Sequence, residues 1–569
     1  MGPRLSSEGP SSHVPGHRRQ DSEAAIDTIK PGPARPSDSG PVTWMSLPRK
    51  DQLFILFLCR FADFLQIASM QTYVYHQLKS LDEHLSDAQI SNQAGILQGG
   101  FTGAQVLTAV LWGRAADASW CGRKRVVLIG ILGTAVSCLG YGFATSFGSA
   151  LFWRVFGGAI NGIVGIIRTM VYENTIEKKY QSRAFLILPL SFNVAGVLGP
   201  IMGGWLADPA STLPGLFGPG GRFECDLVKA YPYALPSITN AVILALVGCI
   251  VALALEETGE FKGRFDLGLH VAAKIRRAIC GGTADDGYSP VPDNDAAADI
   301  QLQRAKEKME ATSSTPHRGE RSGPKLPFNR IFTRNLCLTL AATAFYDFHL
   351  GAFTNMWTLF LTTPRHSADG MTARRSLTSG LMGGGLGMPA PTLGFATSIL
   401  GWLGMLLQIC LYPPVNARLG TLKCFQWFLL LFPLQYLLTP YLAVLPSDTN
   451  PPGAASGPFV WTGIVLILLI HTAARTMTLP ASIILVNNAS PHPSVLSTVH
   501  TLGQSVSAGF RTVGPVVGGY WYGKSLDRGV VGASWWAVAA MSAMGWATAT
   551  LCREGSGHDI YLEGDEKGA

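Results

Sequence analysis

The sequence predicts an all-α integral membrane protein of twelve transmembrane helices, arranged as two related bundles of six. Three observations support this fold class. Only 14% of the 569 residues are charged whereas 47% are hydrophobic, and soluble proteins usually carry about a quarter charged residues. Apolar segments of about 20 residues, the length that crosses a bilayer, occur along most of the chain. One glycine- and proline-rich string occurs twice, six segments apart.

Twelve segments are predicted to cross the membrane, with boundaries read from hydropathy. The first six lie at about 52–76, 94–117, 124–146, 148–173, 184–207 and 234–255. The second six lie at about 331–361, 391–412, 421–445, 457–479, 496–521 and 531–551. From composition we expect a disordered tail at 1–50, a six-helix bundle at 51–255, a disordered linker at 256–329, a second bundle at 330–552 and a tail at 553–569.

Basic residues in the short loops predict the orientation of the chain, because Lys and Arg favour the cytoplasmic side of a membrane. They concentrate after spans 2, 4 and 8, as Arg114, Arg123, Lys124 and Arg125, then Lys178, Lys179 and Arg183, then Arg418 and Lys423. Both termini and the linker are therefore expected in the cytoplasm. The lipid bilayer is the expected surrounding, and a net charge of +7 is too small to indicate a nucleic-acid partner.

The repeated string indicates that the two halves are related. Span 5 contains Gly199-Pro200-Ile201-Met202-Gly203-Gly204, and span 11 contains Gly514-Pro515-Val516-Val517-Gly518-Gly519. Glycine faces let membrane helices approach closely, and proline kinks a helix. Two repeated six-helix halves with a substrate path between them are typical of secondary transporters.

Several motifs, in the expected order, resemble the major facilitator superfamily. The loop after span 2 is similar to the pattern G-x-x-x-D-R-x-G-R-K through Gly113, Asp117, Gly122, Arg123 and Lys124. Arg154 with Gly158 is similar to the R-x-x-x-G pattern of span 4, and Ser191 through Gly204 looks like an antiporter pattern. Within the superfamily, the chain resembles the fungal drug:proton antiporter branch related to the plant zinc-induced facilitator-like proteins. The resemblance covers about residues 50–255 and 330–552.

Two departures from the family patterns limit what is carried over. The first loop is two residues longer than the general pattern, and Ala118 stands where a basic residue is usual. The Cys-Pro-Gly-Cys type motif of the plant relatives is missing, so the sequence gives no support for zinc-related transport.

The resemblance implies a secondary active transporter that moves a small molecule by alternating access, with proton-coupled export (antiport) as the expected mode. It also implies a monomer in the plasma membrane or the vacuolar membrane. No enzyme activity, metal or cofactor is expected, because the sequence lacks metal-ligand spacing and a phosphate-binding G-x-x-x-x-G-K-[ST] loop. The alternative is a membrane sensor or receptor built on a transporter fold.

Ionisable residues inside a membrane are costly and are candidates for function. Arg60 and Asp63 lie three residues apart on one face of span 1, which suits either a proton carrier with its tuning cation or a fixed structural ion pair. Asp347 lies in the middle of span 7, the equivalent span of the second half, and is the second candidate proton carrier. His349 points to a different face and is expected to be a hydrogen-bonding residue.

Other polar residues in the spans are harder to assign from the sequence. Arg154 matches a family position that is implicated in proton coupling, although an arginine that snorkels to the membrane surface is the alternative. Arg511 needs a partner, which either Asp63 or Asp347 could supply. Asn161 and Asn193 are expected to line the cavity or to bond between helices. Arg168 and Arg475 are expected near the cytoplasmic helix ends.

The charged loop after span 2 is expected to act as a gate. Asp117, Arg123 and Lys124 lie at a cytoplasmic turn, where charge contacts could lock the two halves in one state and release them in the other. Loop topology alone would explain the basic residues, but it explains neither Asp117 nor the glycines Gly113 and Gly122.

Overall fold

The structure is a computed structural model, and the residues that it describes are mainly helical. It describes residues 47–118, 120–175, 180, 184–223, 226–258, 266–280, 327–365, 384–451, 453–492 and 495–560. The first half of the bundle comprises α1 (Lys50–Leu81), α2 (Asp87–Asp117), α3 (Arg123–Gly142), α4 (Phe147–Asn174), α5 (Ile187–Leu206) and α6 (Ala234–Ala254). The second half comprises α7 (Arg334–Thr362), α8 (Ala390–Cys410), α9 (Thr421–Val444), α10 (Pro458–Asn488), α11 (Leu496–Asp527) and α12 (Gly532–Thr550).

These helices coincide in order and position with the twelve predicted spans, which confirms the all-α, twelve-helix membrane fold. Among the described residues, α1 to α10 are each long and apolar enough to cross a membrane by length and composition. The other two, α11 and α12, are also at least 19 residues long, but glycine, serine, threonine and tryptophan lower their hydropathy. Both pack against α7 in the second half.

Shorter helices lie between the spans. They are Pro209–Thr212, Pro214–Phe217, Asp226–Ala230, Leu267–Cys280, the 3₁₀ turn Phe328–Arg330 and Tyr412–Leu419. The helix Leu267–Cys280 falls within the segment that composition predicts to be a disordered linker, so residues 266–280 of that segment are structured. Residues 281–326, like residues 1–46, lie outside the described part of the chain.

The two halves have matching internal packing. In the first half, α1 packs against α5 and α6, and α3 packs against α4 and α6. In the second half, α7 packs against α11 and α12, and α9 packs against α10 and α12. The halves meet through two antiparallel helix pairs, α2 with α11 and α5 with α8. This arrangement is the one that a duplicated six-helix unit produces.

The first glycine string lets α5 approach two helices at once. A Cβ atom added to Gly203 would lie 2.2 Å from the Ser69 carbonyl oxygen of α1. A Cβ atom on Gly204 would lie 2.4 Å from the Ala390 carbonyl oxygen, at the start of α8. Any side chain at these positions would push the backbones apart, so the string fixes both the packing within the half and the contact between halves.

The second glycine string makes the equivalent contacts on α11. A Cβ atom on Gly514 would lie 2.3 Å from the Phe348 carbonyl oxygen of α7, and one on Gly519 would lie 2.6 Å from the Ser91 carbonyl oxygen of α2. The carbonyl oxygen of Pro515 accepts a hydrogen bond of 3.2 Å from the Asn355 side chain of α7. The two strings therefore occupy the same structural position in their halves.

The contacts between α2 and α11 are concentrated toward one end of the bundle. We call the end that carries the loop between α2 and α3 the basic-loop end, and the other the opposite end. The pair is close from Ala88, which faces Gly523, to Gly103, which faces Thr512. Beyond that point, toward the basic-loop end, α2 carries exposed side chains such as Leu107, at 81% exposure.

We predict that Gly203→Ala destabilises the protein by about 1–3 kcal/mol, because the added methyl group would overlap the α1 backbone. Thermal unfolding of the detergent-solubilised protein measures this effect. Gly196→Ala is the matched control on the same helix, since its Cβ atom would have only an ordinary contact, 3.7 Å from Gly401. Equal midpoints for the two variants would contradict the packing role of Gly203.

Candidate functional site

A break in α4 places one amide side chain at the centre of the first half. The helix stops at Ile160 and resumes at Ile163, leaving Asn161 and Gly162 outside regular helix. Backbone groups freed in a membrane interior need other partners, and α2 supplies them. Trp112 donates its indole N–H to the Ala159 carbonyl oxygen at 2.7 Å.

The second freed carbonyl group is satisfied in the same way. Gln105 of α2 donates to the carbonyl oxygen of Asn161 at 3.0 Å. Only glycine fits at position 162, because a Cβ atom there would lie 2.3 Å from the Cβ atom of Trp112. The break therefore holds the Asn161 side chain in place, pointing toward α1.

Asp63 is the centre of a buried polar cluster. One carboxylate oxygen accepts from the Arg60 guanidinium at 2.5 Å and the other accepts from the Asn161 amide at 2.5 Å. The Asp63 side chain is only 3% exposed and that of Arg60 is 7% exposed. The Arg60 guanidinium also lies 4.1 Å above the Phe64 ring. Both charges are thus compensated within α1, with an added hydrogen bond from α4.

Arg154 lies next to this cluster and is buried, which excludes the snorkelling arrangement. Its guanidinium lies 4.2 Å above the Phe101 ring, and one of its N–H groups faces Gln66 Oε1 at 3.5 Å. Two of its nitrogens, Nε and Nη2, have no hydrogen-bond partner. A small polar void borders it, lined also by Tyr73, Tyr141 and Asn240. The void is polar and has room for about one water molecule.

Asp347 forms the second buried carboxylate pair and provides the partner that Arg511 requires. The distance from Arg511 Nη2 to Asp347 Oδ1 is 2.6 Å. Asp347 is 2% exposed whereas the Arg511 side chain is 52% exposed. The ion pair is therefore accessible only from the side of its arginine.

Two buried histidines of the second half, His349 and His471, are held by neighbouring side chains. His349 Nδ1 lies 2.9 Å from the Tyr436 hydroxyl group, and His471 Nδ1 lies 3.3 Å from Gln435 Oε1. His471 also stacks on the Phe353 ring at 3.7 Å. His349 thus has the hydrogen-bonding environment that the sequence suggests, on a face away from Asp347.

Two contacts join the halves close to these pairs. Asn193 of α5 donates to Gln408 Oε1 of α8 at 2.9 Å. The Arg475 guanidinium of α10 lies 4.2 Å above the Phe192 ring of α5, and Phe192 packs edge-on against Phe64 at 4.9 Å. We call Phe64 and Phe192 the aromatic bridge, because they link the Arg60–Asp63 pair to the second half.

The placement of Arg475 corrects the expectation that it lies near a helix end. The predicted span ends at residue 479, but α10 continues to Asn488, so Arg475 lies well inside the helix. Arg168, by contrast, keeps its expected place, because α4 ends at Asn174 after its break, within one residue of the predicted end of span 4.

The loop at the basic-loop end contains a denser charge network than the sequence indicates. Arg123 lies 3.7 Å from Asp117, which is 74% exposed. It forms a closer ion pair with Glu173, at the end of α4. Lys124 pairs with Asp266 at 2.5 Å and donates to the Ala252 carbonyl oxygen at 2.9 Å. Glu173 and Asp266 carry no motif spacing, and only the fold brings them to the loop.

Glu257, which follows α6 in the sequence, caps the start of α3. Its carboxylate accepts from the backbone N–H groups of Arg123 at 3.0 Å and of Lys124 at 3.1 Å. Gly122 precedes them with φ of 83°, and a Cβ atom there would lie 2.6 Å from Glu257 Oε2. Glycine at this position is therefore required both by the left-handed backbone and by the space that Glu257 occupies.

We predict that Glu257→Ala lowers the free energy of unfolding by about 1 kcal/mol, because the first N–H groups of α3 lose their acceptor. The thermal midpoint of the purified protein measures this loss. Glu257→Gln keeps an acceptor oxygen and is expected to lose less. The exposed residue Glu83 gives the control Glu83→Ala, and a Glu257→Ala midpoint equal to that of the control would argue against the cap.

Comparison with known proteins agrees with this architecture. The pattern of the Major Facilitator Superfamily matches residues 52–388. The major facilitator superfamily multidrug transporter mfsB of Aspergillus fumigatus is 30% identical over 524 residues, which cover 88% of this chain and 83% of that protein. The protein ZINC INDUCED FACILITATOR 1 of Arabidopsis thaliana is 22% identical over 466 residues, covering 82% of each chain.

Solved structures show the same fold at low sequence identity. A crystal structure of a D-xylose-proton symporter superposes with a TM-score of 0.58 at 10% identity, covering 89% of this chain and 99% of that one. The fungal multidrug and plant facilitator relatives confirm the resemblance carried by the loop and glycine motifs. The chain belongs to the Major Facilitator Superfamily, and it is a multi-pass membrane transporter of small molecules and not an enzyme.

Proposed function

We propose that this transporter is proton-coupled and exports its substrate by antiport. The observation that carries the proposal is a pair of buried carboxylates, Asp63 on α1 and Asp347 on the equivalent helix α7. Each carboxylate forms an ion pair with an arginine. Burying an acid inside a membrane costs free energy, so an acid that is found there is a candidate for function. A carboxylate whose arginine partner is freed when it takes up a proton can couple protonation to a change in the cavity.

The two carboxylates differ in a way that suits a proton path. Asp63 has two partners and is closed off from solvent. Asp347 is bound by Arg511, whose side chain is half-exposed. Protonation of Asp347 would remove its charge and release Arg511. We therefore assign Asp347 as the acid that exchanges with the solvent, and Asp63, with Arg154 and Asn161 beside it, as the inner acid.

The charge network at the basic-loop end is proposed as the gate of alternating access. Arg123 binds Glu173 on α4 and lies near Asp117 on α2, so that three helices meet at one guanidinium. Such contacts can hold one conformation and release in another. The two glycines of the motif flank this turn, Gly113 near the end of α2 and Gly122 directly before α3.

Orientation, membrane and assembly are also parts of the proposal. The basic residues at one end of the bundle support a cytoplasmic position for that end and for both termini. The plasma membrane and the vacuolar membrane are the candidate locations. A monomer is proposed because the path between the two halves is complete in one chain.

A sensor or receptor built on the same fold is the second candidate function. It would bind a ligand without net movement of protons or ligand. A flux assay separates the two candidates, because only a transporter moves protons when substrate is added.

We predict that Asp63→Asn and Asp347→Asn abolish proton flux driven by substrate, while the protein stays folded. The assay uses vesicles that contain the purified protein and carry an imposed pH gradient, with a panel of drugs, organic acids, amino acids and metal chelates. The exposed residue Asp226 provides the control Asp226→Asn, which should behave as the wild type. Wild-type flux in both cavity variants would refute the proton-carrier assignment.

We predict that Glu173→Gln slows turnover more than Asp117→Asn does, with little change in substrate affinity for either. The reason is that Glu173 is 23% exposed and Asp117 is 74% exposed, and exposed ion pairs contribute little. Initial rates over a range of substrate concentrations measure both quantities. A change confined to substrate affinity would count against the gate.

A further inference from the structure

Six charged side chains surround the middle of the bundle, and we call them the central charge cluster. They come from α1, α4, α7, α10 and α11. The members are Arg60, Asp63, Arg168, Asp347, Arg475 and Arg511. Four are arginines and two are aspartates, so the cluster carries two more positive charges than negative ones when all six are ionised.

Each of the two aspartates already has an arginine partner. Asp63 is bound by Arg60 and Asn161, and Asp347 is bound by Arg511. Within the part of the chain that the structure describes, Arg168 and Arg475 have no carboxylate in salt-bridge range. An uncompensated cation inside a membrane protein is costly. The excess therefore points to a negative charge that a ligand brings.

Arg475 is better oriented than Arg168 to bind a ligand. Its guanidinium lies face-on above Phe192 at 4.2 Å, and this contact uses the flat face of the group. The N–H donors of a guanidinium lie in its plane. They remain free to bind the two oxygens of an acidic group, which is the geometry that arginine recognises best.

Two further arginines add positive charge to the region around Arg475. Arg168 comes from α4 of the first half, and Arg511 comes from α11. The side chains of Arg168 and Arg511 are both exposed, so both can be reached by a ligand. The charge of Arg511 acts on both Arg168 and Arg475. The positive region is therefore shared by the two halves, and a single small anion could be attracted by arginines of both.

The surroundings of Arg475 also favour an apolar, flat body on the ligand. Phe192 lies directly beneath the guanidinium and Phe64 packs edge-on against Phe192, and both rings are partly exposed. Tyr346 lies near enough for the charges of Arg475 and Arg511 to act on it. Aromatic rings pack well against a planar ligand, whereas a cationic ligand would meet two uncompensated positive charges.

We propose that the substrate is a small organic anion with an aromatic or other planar body. Arg475 binds its acidic group, Arg168 adds attraction from the first half, and the aromatic bridge packs against its body. This inference rests on the transport function proposed above and specifies its substrate class.

The test compares three probes with one ring system and different charges, namely 1-naphthoate, 1-naphthamide and 1-naphthylmethylammonium. Equilibrium binding to the full-length purified protein is measured at one pH and ionic strength. We expect 1-naphthoate to bind about tenfold more tightly than the amide, the size of effect that a charged hydrogen bond gives. The ammonium compound is expected to bind most weakly. Equal affinity for the anion and the amide, or preference for the ammonium compound, would overturn the proposal.

Substitution of Arg475 and of Arg168 assigns the site. We expect Arg475→Gln to weaken 1-naphthoate binding about tenfold and to leave 1-naphthamide binding unchanged, with a smaller loss for Arg168→Gln. Arg418→Gln, on an exposed helix, is the matched control, and thermal midpoints establish that each variant is folded. Undiminished preference for the anion in both cavity variants would place the site elsewhere and overturn the assignment.

Vesicle flux separates this inference from the transport proposal. Binding that depends on the negative charge, without any proton movement when 1-naphthoate is added, would support the anion site and contradict proton-coupled transport. Proton movement driven by the ammonium probe and not by 1-naphthoate would support transport and contradict the anion site.

Discussion

Direct contact between helix backbones holds this bundle together and sets the positions of its charged groups. At four places a glycine removes the side chain that would otherwise separate two helices, on α5 against α1 and α8, and on α11 against α7 and α2. Inside a membrane, such packing replaces the hydrophobic effect as the main force between helices. It also brings α11 close enough to α7 for Arg511 to reach Asp347. The carboxylate pair of the second half thus depends on the glycine string that lies one turn further along α11.

The hydropathy pattern and the repeated string were enough to predict the fold, because the bilayer fixes both the length and the polarity of each helix. All twelve helices lie where the sequence predicts them. The ends are less predictable, as α10 shows: the predicted span stops at residue 479, but the helix continues through Pro480 to Asn488. The predicted span therefore places Arg475 near its end, whereas the residue lies in the interior of the helix.

The site was predictable only where its residues are close in sequence. Arg60 and Asp63 are three residues apart, and their pairing follows from helix geometry. Asp347 and Arg511 are separated by most of the second half, so the sequence could name them as candidates but could not pair them. Glu173 and Glu257 belong to no sequence motif. Glu173 pairs with the Arg123 side chain and Glu257 accepts from the Arg123 backbone N–H, and both contacts form only once the chain has folded. The break in α4 was equally hidden, since it depends on side chains of α2.

The cap on α3 has a consequence for how force passes through the molecule. Glu257 follows directly after α6, where the chain leaves the first half for the connecting segment, and its carboxylate is bound to the first N–H groups of α3. A few residues later, Asp266 is tied to Lys124. The connecting segment is thus anchored twice to the neighbourhood of the charged loop. A pull on it is therefore shared between that loop and α6, against which the helix Leu267–Cys280 packs.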